Sequence, residues 1–282
     1  MSAGPAGPPD RLAESAAAIV RTRSVVEPRA GIVLGSGLGP ALGASLRIDD
    51  TIPYADLPGF PAITVPGHTG ELVLGEIAGV PFAGFRGRFH LYEGHDPDIP
   101  ALLPRLAHAL GADTMVLTAA VGAVVPDLAA GTAVIPRDHL NFTGSVPLLR
   151  WRFADGSPAF VSARVYDPAL RALALESAAA LGIRATEGVY AAMRGPAYET
   201  PAEVEMLARA GATVVGMSMV PESLPAHALG MRVLGICSLT NALSEPVTHE
   251  DVLRVSMSTA AAIGRLLVDV LPRLPRKEPQ DG

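Results

Sequence analysis

The sequence predicts a single α/β domain, built as a three-layer α/β/α sandwich around a mixed, largely buried β-sheet. Short apolar runs of strand character alternate with Ala- and Leu-rich helical patterns along the chain. The chain has 282 residues, 49% hydrophobic and only 18% charged, which supplies a substantial core and is near the upper size for one domain. No repeat of fixed period and no Ser/Gly linker divides it. The domain is therefore expected over residues 10–272, flanked by disordered tails at 1–9 and 273–282 whose Gly-, Pro- and charge-rich composition buries too little to order itself.

In chain order, a helix is expected over 10–27, then a buried strand at GIVLGS (31–36) and a hairpin at ELVLGEIAGVPFAGF (71–85). A helix over 97–110 leads to the strands DTMVLTAA (113–120) and TAVIP (132–136). A helix over 167–181, the strand ATEGVYAAM (185–193), a helix over 201–210 and the strand ATVVGMS (212–218) follow. A helix over 221–230, the strand RVLGICSLT (232–240) and a helix over 248–271 complete seven or eight strands. Several of these helices open on Asp, Thr or Pro at a cap position.

Composition excludes several classes of function. A formal charge of -6, from 22 Lys plus Arg against 28 Asp plus Glu, with no basic run, argues against nucleic acid and for a small-molecule substrate. Cys237 is the only cysteine, so no intramolecular disulfide forms, and the first residues lack the pattern of a signal peptide; a reducing, cytoplasmic compartment is expected. Apolar stretches such as Met115 to Val125 are broken well before the roughly 20 residues of a membrane span. The histidines follow no metal-binding spacing, and Ser36 has no nucleophile-elbow sequence around it.

Seven segments carry residues suited to chemistry. In GIVLGSGLGPAL, glycines directly after a strand let backbone N–H groups approach an anion, and Ser36 adds a hydroxyl; a tight strand-to-helix turn is the plainer alternative. In GFRGRFHLYEGHD, period-2 alternation at the end of an apolar strand gathers Arg88, His90 and Tyr92 on one face, where the Arg fork and the imidazole suit a small oxyanion. A solvated strand end is the alternative. His68 is held in the Pro-Gly loop VPGHTG. Glu199 in GPAYETPAE is placed to open a helix, where a carboxylate complements the dipole. Ser218 and Asn241 follow the strands ATVVGM and RVLGICSL, at carboxyl ends where open α/β sheets bind ligands; His249 opens the last helix in VTHEDVL.

Taken in chain order, GSGLG, PGHTG, GRFHLYEG, GPAYETPAE, GMSMVPE and SLTN followed by THEDVL resemble the motif series of the trimeric purine nucleoside phosphorylases, over roughly residues 30 to 272. The resemblance implies phosphorolysis of 6-oxopurine ribo- and deoxyribonucleosides, with inorganic phosphate as co-substrate and no cofactor or metal, in a homotrimer. It implies that Ser36, Arg88, His90, Ser218 and the backbone N–H of Ala120 hold phosphate, with His68 near its attacking side. Tyr92, Met217 and His249 would border the ribose. Tyr190, Tyr198, Glu199 and Asn241 would receive the base, with Asn241, Glu199 and His90 as the catalytic set.

The sequence departs from that series in LTAAVGAVVP, where the family commonly reads Thr-Asn-Ala-Ala-Gly-Gly-Leu-Asn-Pro. Ala119, Val121, Ala123 and Val125 have lost amides or gained bulk, and the loop is expected to line the pocket between base and phosphate. Met219 replaces a usual Thr and Arg194 a usually small residue. The alternatives are a 5'-methylthioadenosine phosphorylase, or a nucleoside-binding homologue that has lost turnover.

Overall fold

Strand β1 (Ala30–Leu34) runs through the middle of a mixed sheet because each of its residues is apolar or Gly and buried, leaving no polar face to turn to water. In the computed structural model, which describes residues 11–275 apart from 36–37, 127, 149–150, 152–156, 158–159, 162–163 and 243–248, residues 242, 249–253, 256 and 258 are described by their backbone alone. Strands β4 (Val80–Arg86) and β5 (Thr114–Ala123) flank β1 in parallel. The expected hairpin joins β3 (Glu71–Ile77) to β4, and β2 (Leu46–Pro53) forms the edge, antiparallel to β3.

Beyond β5 lie β8 (Val214–Gly216), β7 (Ala185–Ala192), β6 (Ala133–Asn141) and β9 (Arg232–Ala242), giving the order β2-β3-β4-β1-β5-β8-β7-β6-β9. β9 also pairs in parallel with β5, so this half curls into a closed ring of β5, β8, β7, β6 and β9. Simple alternation along each strand could not show that closure, because residues on a curled and on a flat sheet alternate alike.

Helices cover both faces. On one lie α1 (Arg11–Arg23), α3 (Leu102–Ala109) and α6 (Val220–Ala228), where Val20, Leu103 and Val220 pack with Val33, Leu117 and Cys237 of the strands. On the other lie α2 (Leu38–Ala41), α4 (Pro168–Ala180) and α7 (His249–Val270), where Leu38, Leu170 and Ile263 pack with Ile32, Val116 and Ile236. Neighbouring strand residues thus feed opposite cores, the period-2 rule in both halves of the sandwich. Helix α5 (Pro201–Arg209) rests Leu207 on Ala191 and Val215.

The structure also departs from the sequence expectation. Strand β2 was absent from it because LRIDDTIP is largely polar; most of the strand is open to solvent, as suits an edge guarded by charge. The last packed segment reaches past 273: Leu274 is buried and its carbonyl accepts from Arg29 Nη2 at 3.1 Å. Residues 1–9 lie outside the described residues. No described helix is long and apolar enough to cross a membrane.

Candidate active site

Where β1, β5, β8 and β9 reach their carboxyl ends, a cavity of about 520 Å³ opens between the loops that follow them. Its first wall begins with Gly87, whose φ of 127° ends β4 and turns the chain. Arg88, His90 and Tyr92 therefore do not share a strand face: His90 precedes a 3-10 turn at Leu91–Glu93. The rings nevertheless stack, His68 on His90 at 5.5 Å between centroids and His90 on Tyr92 at 4.7 Å. Sequence alternation proposed the right neighbours by the wrong geometry.

Arg88 is 4% exposed, and its fork is already occupied. Its Nε and Nη2 donate to the two carboxylate oxygens of Glu222 at 2.9 and 2.8 Å. Its Nη1 donates to the Thr118 carbonyl at 2.7 Å and to Ser218 Oγ at 3.0 Å. The fork is thus anchored on a carboxylate 134 positions away, while Arg88 also lines the cavity. Glu222 is 1% exposed; burial pushes its carboxyl up while the Arg88 guanidinium pulls it back, and two accepting oxygens are the signature of the ionised form.

Beside this pair, His68 Nδ1 accepts a long 3.4 Å bond from the Arg88 backbone N–H, which leaves Nε2 as the protonated nitrogen. Burial, with His90 and Arg88 adding repulsion, lowers its pKa to about 4, so the ring is neutral near pH 7. Glu93 accepts from the backbone N–H of His90 at 2.7 Å and from Thr64 Oγ1 at 2.6 Å. Burial pushes its carboxyl up, but these bonds outweigh that and hold it down to about 2. Its Oε1 lies 3.4 Å from the His90 ring Nδ1, orienting the imidazole. Tyr92 is pushed up to about 12 by burial, with Glu93 adding to it, and stays a neutral phenol.

Ser218 is presented by a tight turn. The Val220 N–H donates to the Ser218 carbonyl at 2.8 Å around Met219, whose φ of 65° and ψ of −54° are strained for a side-chain-bearing residue. Met219 is fully buried, so core packing holds the strain. Tyr190 explains part of the rest. It is not on the cavity wall: it is fully buried against β8, and its hydroxyl accepts from the Ser218 backbone N–H at 3.1 Å. The strand register of β7 turns it to the core rather than to the cavity, where a base contact was expected of it.

The glycine loop is only partly described. Ser36 and Gly37 fall outside the described residues. The Gly35 N–H, expected to face an anion, donates to Thr118 Oγ1 at 2.9 Å, and that hydroxyl donates to the Val33 carbonyl at 2.7 Å. Ala120 opens onto the cavity, while Ala119, Val121 and Ala123 are buried in the core shared with α3 and α6. Ala119, Val121 and Gly122 also line the cavity, so the bulk gained at Val121 borders it as expected of this loop.

The opposite wall is looser. Thr200 caps α5 and forms a capping box with Glu203, so the helix-opening role assigned to Glu199 belongs to Glu203. Glu199 is freed to face the cavity, with its carboxyl raised by burial. Tyr198 beside it is 43% exposed. On β9 an extra residue, Thr240, interrupts the register with β5 between Leu239 and Asn241. The Thr240 hydroxyl lies 2.8 Å from Asn241 Oδ1 and 3.1 Å from the Val121 carbonyl, sharing its one proton between them and tethering the amide to β5.

One cavity therefore brings together His68, Arg88, His90, Tyr92 and Ala120 with Met217, Ser218, Tyr198, Glu199 and Asn241. His249 begins α7, and its side chain lies outside the described ones. Sequence reasoning missed Glu222, Thr118 and Thr240; only Glu222 had a signal, a lone carboxylate in the apolar run MVPESLPAHALG.

A model of the phosphorylase superfamily matches residues 29–272. Purine nucleoside phosphorylase 1 of Bacillus subtilis (strain 168) is 40% identical over 263 residues, covering 92% of this chain and 96% of that protein. The purine nucleoside phosphorylase of Mycobacterium tuberculosis is 42% identical over 276 residues, covering 96% and 99%. Isoform 2 of the Schistosoma mansoni enzyme, solved with cytosine and ribose-1-phosphate, superposes with a TM-score of 0.87 at 34% identity, covering 95% of this chain and 98% of that one. The chain belongs to the phosphorylase superfamily, among its purine nucleoside phosphorylases.

Proposed function

We propose that this protein cleaves 6-oxopurine nucleosides, inosine and guanosine and their deoxy forms, with inorganic phosphate, yielding free base and (deoxy)ribose 1-phosphate. The observation that carries this reading is a single cavity with an oxyanion corner at Arg88, Ser218 and His90 and an acceptor–donor pair, Glu199 and Asn241, across from it. Phosphate held by Arg88, His90, Ser218, the Ala120 backbone N–H and Ser36, with His68 near its attacking side, attacks C1' while the C1'–N9 bond breaks, with inversion. The ribose lies between, against Tyr92, Met217 and His249.

The bonding electrons pass to the purine, and the Asn241 NH₂ near N7 stabilises that charge more in the transition state than before. Glu199 accepts from N1–H, and Tyr198 offers a ring face to the base. His68 and the Arg88–Glu222 pair leave this corner without net charge, so phosphate is met by aimed donors rather than by an excess of cations. No cofactor or metal is required, and the working assembly is a homotrimer in the cytoplasm.

The test is release of hypoxanthine from inosine with and without phosphate, run beside adenosine. Adenine has no N1–H, so its N1 lone pair would meet the Glu199 carboxylate acceptor to acceptor, and such mismatches discriminate by up to about 10⁴. Phosphate-dependent cleavage strongly favouring inosine is expected. Equal turnover of adenosine sinks the base assignment, and phosphate-independent cleavage sinks phosphorolysis.

A further inference from the structure

The peptide that joins Gly87 to Arg88 has both of its polar groups taken by side chains. The Gly87 carbonyl accepts from the Tyr54 hydroxyl at 2.9 Å, and the Arg88 N–H donates to His68 Nδ1 at 3.4 Å. The C=O and N–H of one trans peptide point opposite ways, so Tyr54 and His68 stand on either side of a single planar unit. Their approach is close: a Cβ at Gly87 would come within 2.7 Å of Ile63 Cδ1 and 3.0 Å of His68 Cβ, which only a glycine avoids.

Tyr54 is itself fixed. It is 2% exposed, its ring packs against Phe60 and Phe89 at 5.2 and 5.6 Å between centroids, and its N–H donates to the Gly70 carbonyl at 2.8 Å. The Gly70 N–H in turn donates to the Arg86 carbonyl at 2.9 Å, so both ends of the segment 54–70, which carries His68, are tied to the end of β4. Burial, with Glu222 adding to it, pushes the phenol well above its ordinary range, so it stays a donor.

We propose that Tyr54 is a positioning residue for His68, acting through the Gly87–Arg88 peptide. A hydrogen bond to the carbonyl polarises the peptide and strengthens its N–H as a donor to Nδ1. That holds Nδ1 unprotonated and leaves Nε2–H as the one donor the ring offers to the cavity it lines. The tautomer of His68 is thus set by a tyrosine outside the cavity wall. Its use toward phosphate rests on the phosphorolysis reading; the tautomer does not.

Y54F removes the hydroxyl and keeps the ring. Long-range ¹H–¹⁵N spectra of the histidine-labelled full chain, with His68 identified by its absence in H68N, should show the Nε2–H tautomer in wild type and a mixture in Y54F. Inorganic phosphate titrated calorimetrically should bind Y54F about fivefold more weakly, the scale of one lost hydrogen bond. The double variant Y54F/H68N should bind it no more weakly than the worse single, since both residues act along one route. A tyrosine that only fills the core would leave the tautomer alone. If Y54F does not fold, Y54M takes its place, being flexible and equally without a hydroxyl. An unchanged tautomer, an unchanged phosphate affinity or losses that multiply overturns the proposal. If wild type neither binds phosphate nor releases hypoxanthine, the phosphorolysis reading falls while the spectra still decide the role of Tyr54.

Discussion

The two ends of the cavity are built differently. At the oxyanion end Arg88 and Glu222 are 4% and 1% exposed and their hydrogen bonds run to each other, to Ser218 and to the Thr118 carbonyl. At the base end Tyr198 is 43% exposed, Glu199 stands before a helix rather than in one, and Asn241 sits at a bulge with one anchoring hydroxyl. The first end is assembled by the fold itself. The second is presented on irregular backbone. Stability and phosphate affinity should therefore be coupled at one end, while stability and turnover come apart at the other.

The sharpest way to break this contrast is Arg88→Met. It leaves Glu222 buried without its cation, which costs about 3 to 5 kcal/mol. Urea unfolding should show that loss together with loss of phosphate binding. Adding Glu222→Leu should restore most of the stability and none of the binding. Unchanged stability in the single variant would mean that the pair is not the structural centre of that end.

Asn241→Ala tests the other end. It should lower kcat for inosine by about 10² to 10³, roughly 3 to 4 kcal/mol of transition-state stabilisation, with unfolding free energy altered little. A loss of stability as large as that of Arg88→Met would erase the distinction between the two ends.

A smaller effect concerns pH. The pKa of His68 is about 4 in the folded chain against an ordinary 6.5, so between these values the unfolded chain binds the extra proton. Stability is then independent of this group above pH 6.5 and falls as pH drops from 6.5 to 4, by on the order of 3 kcal/mol at most. His139, also lowered by burial, adds in the same direction. Unfolding measured across that window should show a shallower slope in His68→Asn; an unchanged slope would place the titration elsewhere.

Much of the site could be read in advance because its residues sit in short motifs at strand ends, and strand ends are local features. His68, Arg88, His90, Tyr92, Ser218, Glu199 and Asn241 all reach the cavity as expected. Tyr190 was misjudged because a tyrosine at the end of a strand can face either layer, and only the pairing of β7 with β6 and β8 turns it inward.

The sequence by itself determined the alternation of strands and helices, the apolar runs that make β1 and β5 buried, and the caps that start α4 and α5 at Asp167 and Thr200. Those signals act over one or two turns of chain, and short-range sterics and hydrogen bonds decide them. Only the tertiary structure decided that Arg88 spends its fork on Glu222, that β9 returns to β5 and closes the ring, and that Thr240 is squeezed out of register beside Asn241. Each depends on which distant segments the packed core brings into contact. A charge 134 residues away becomes a partner because both groups are dehydrated in the same place.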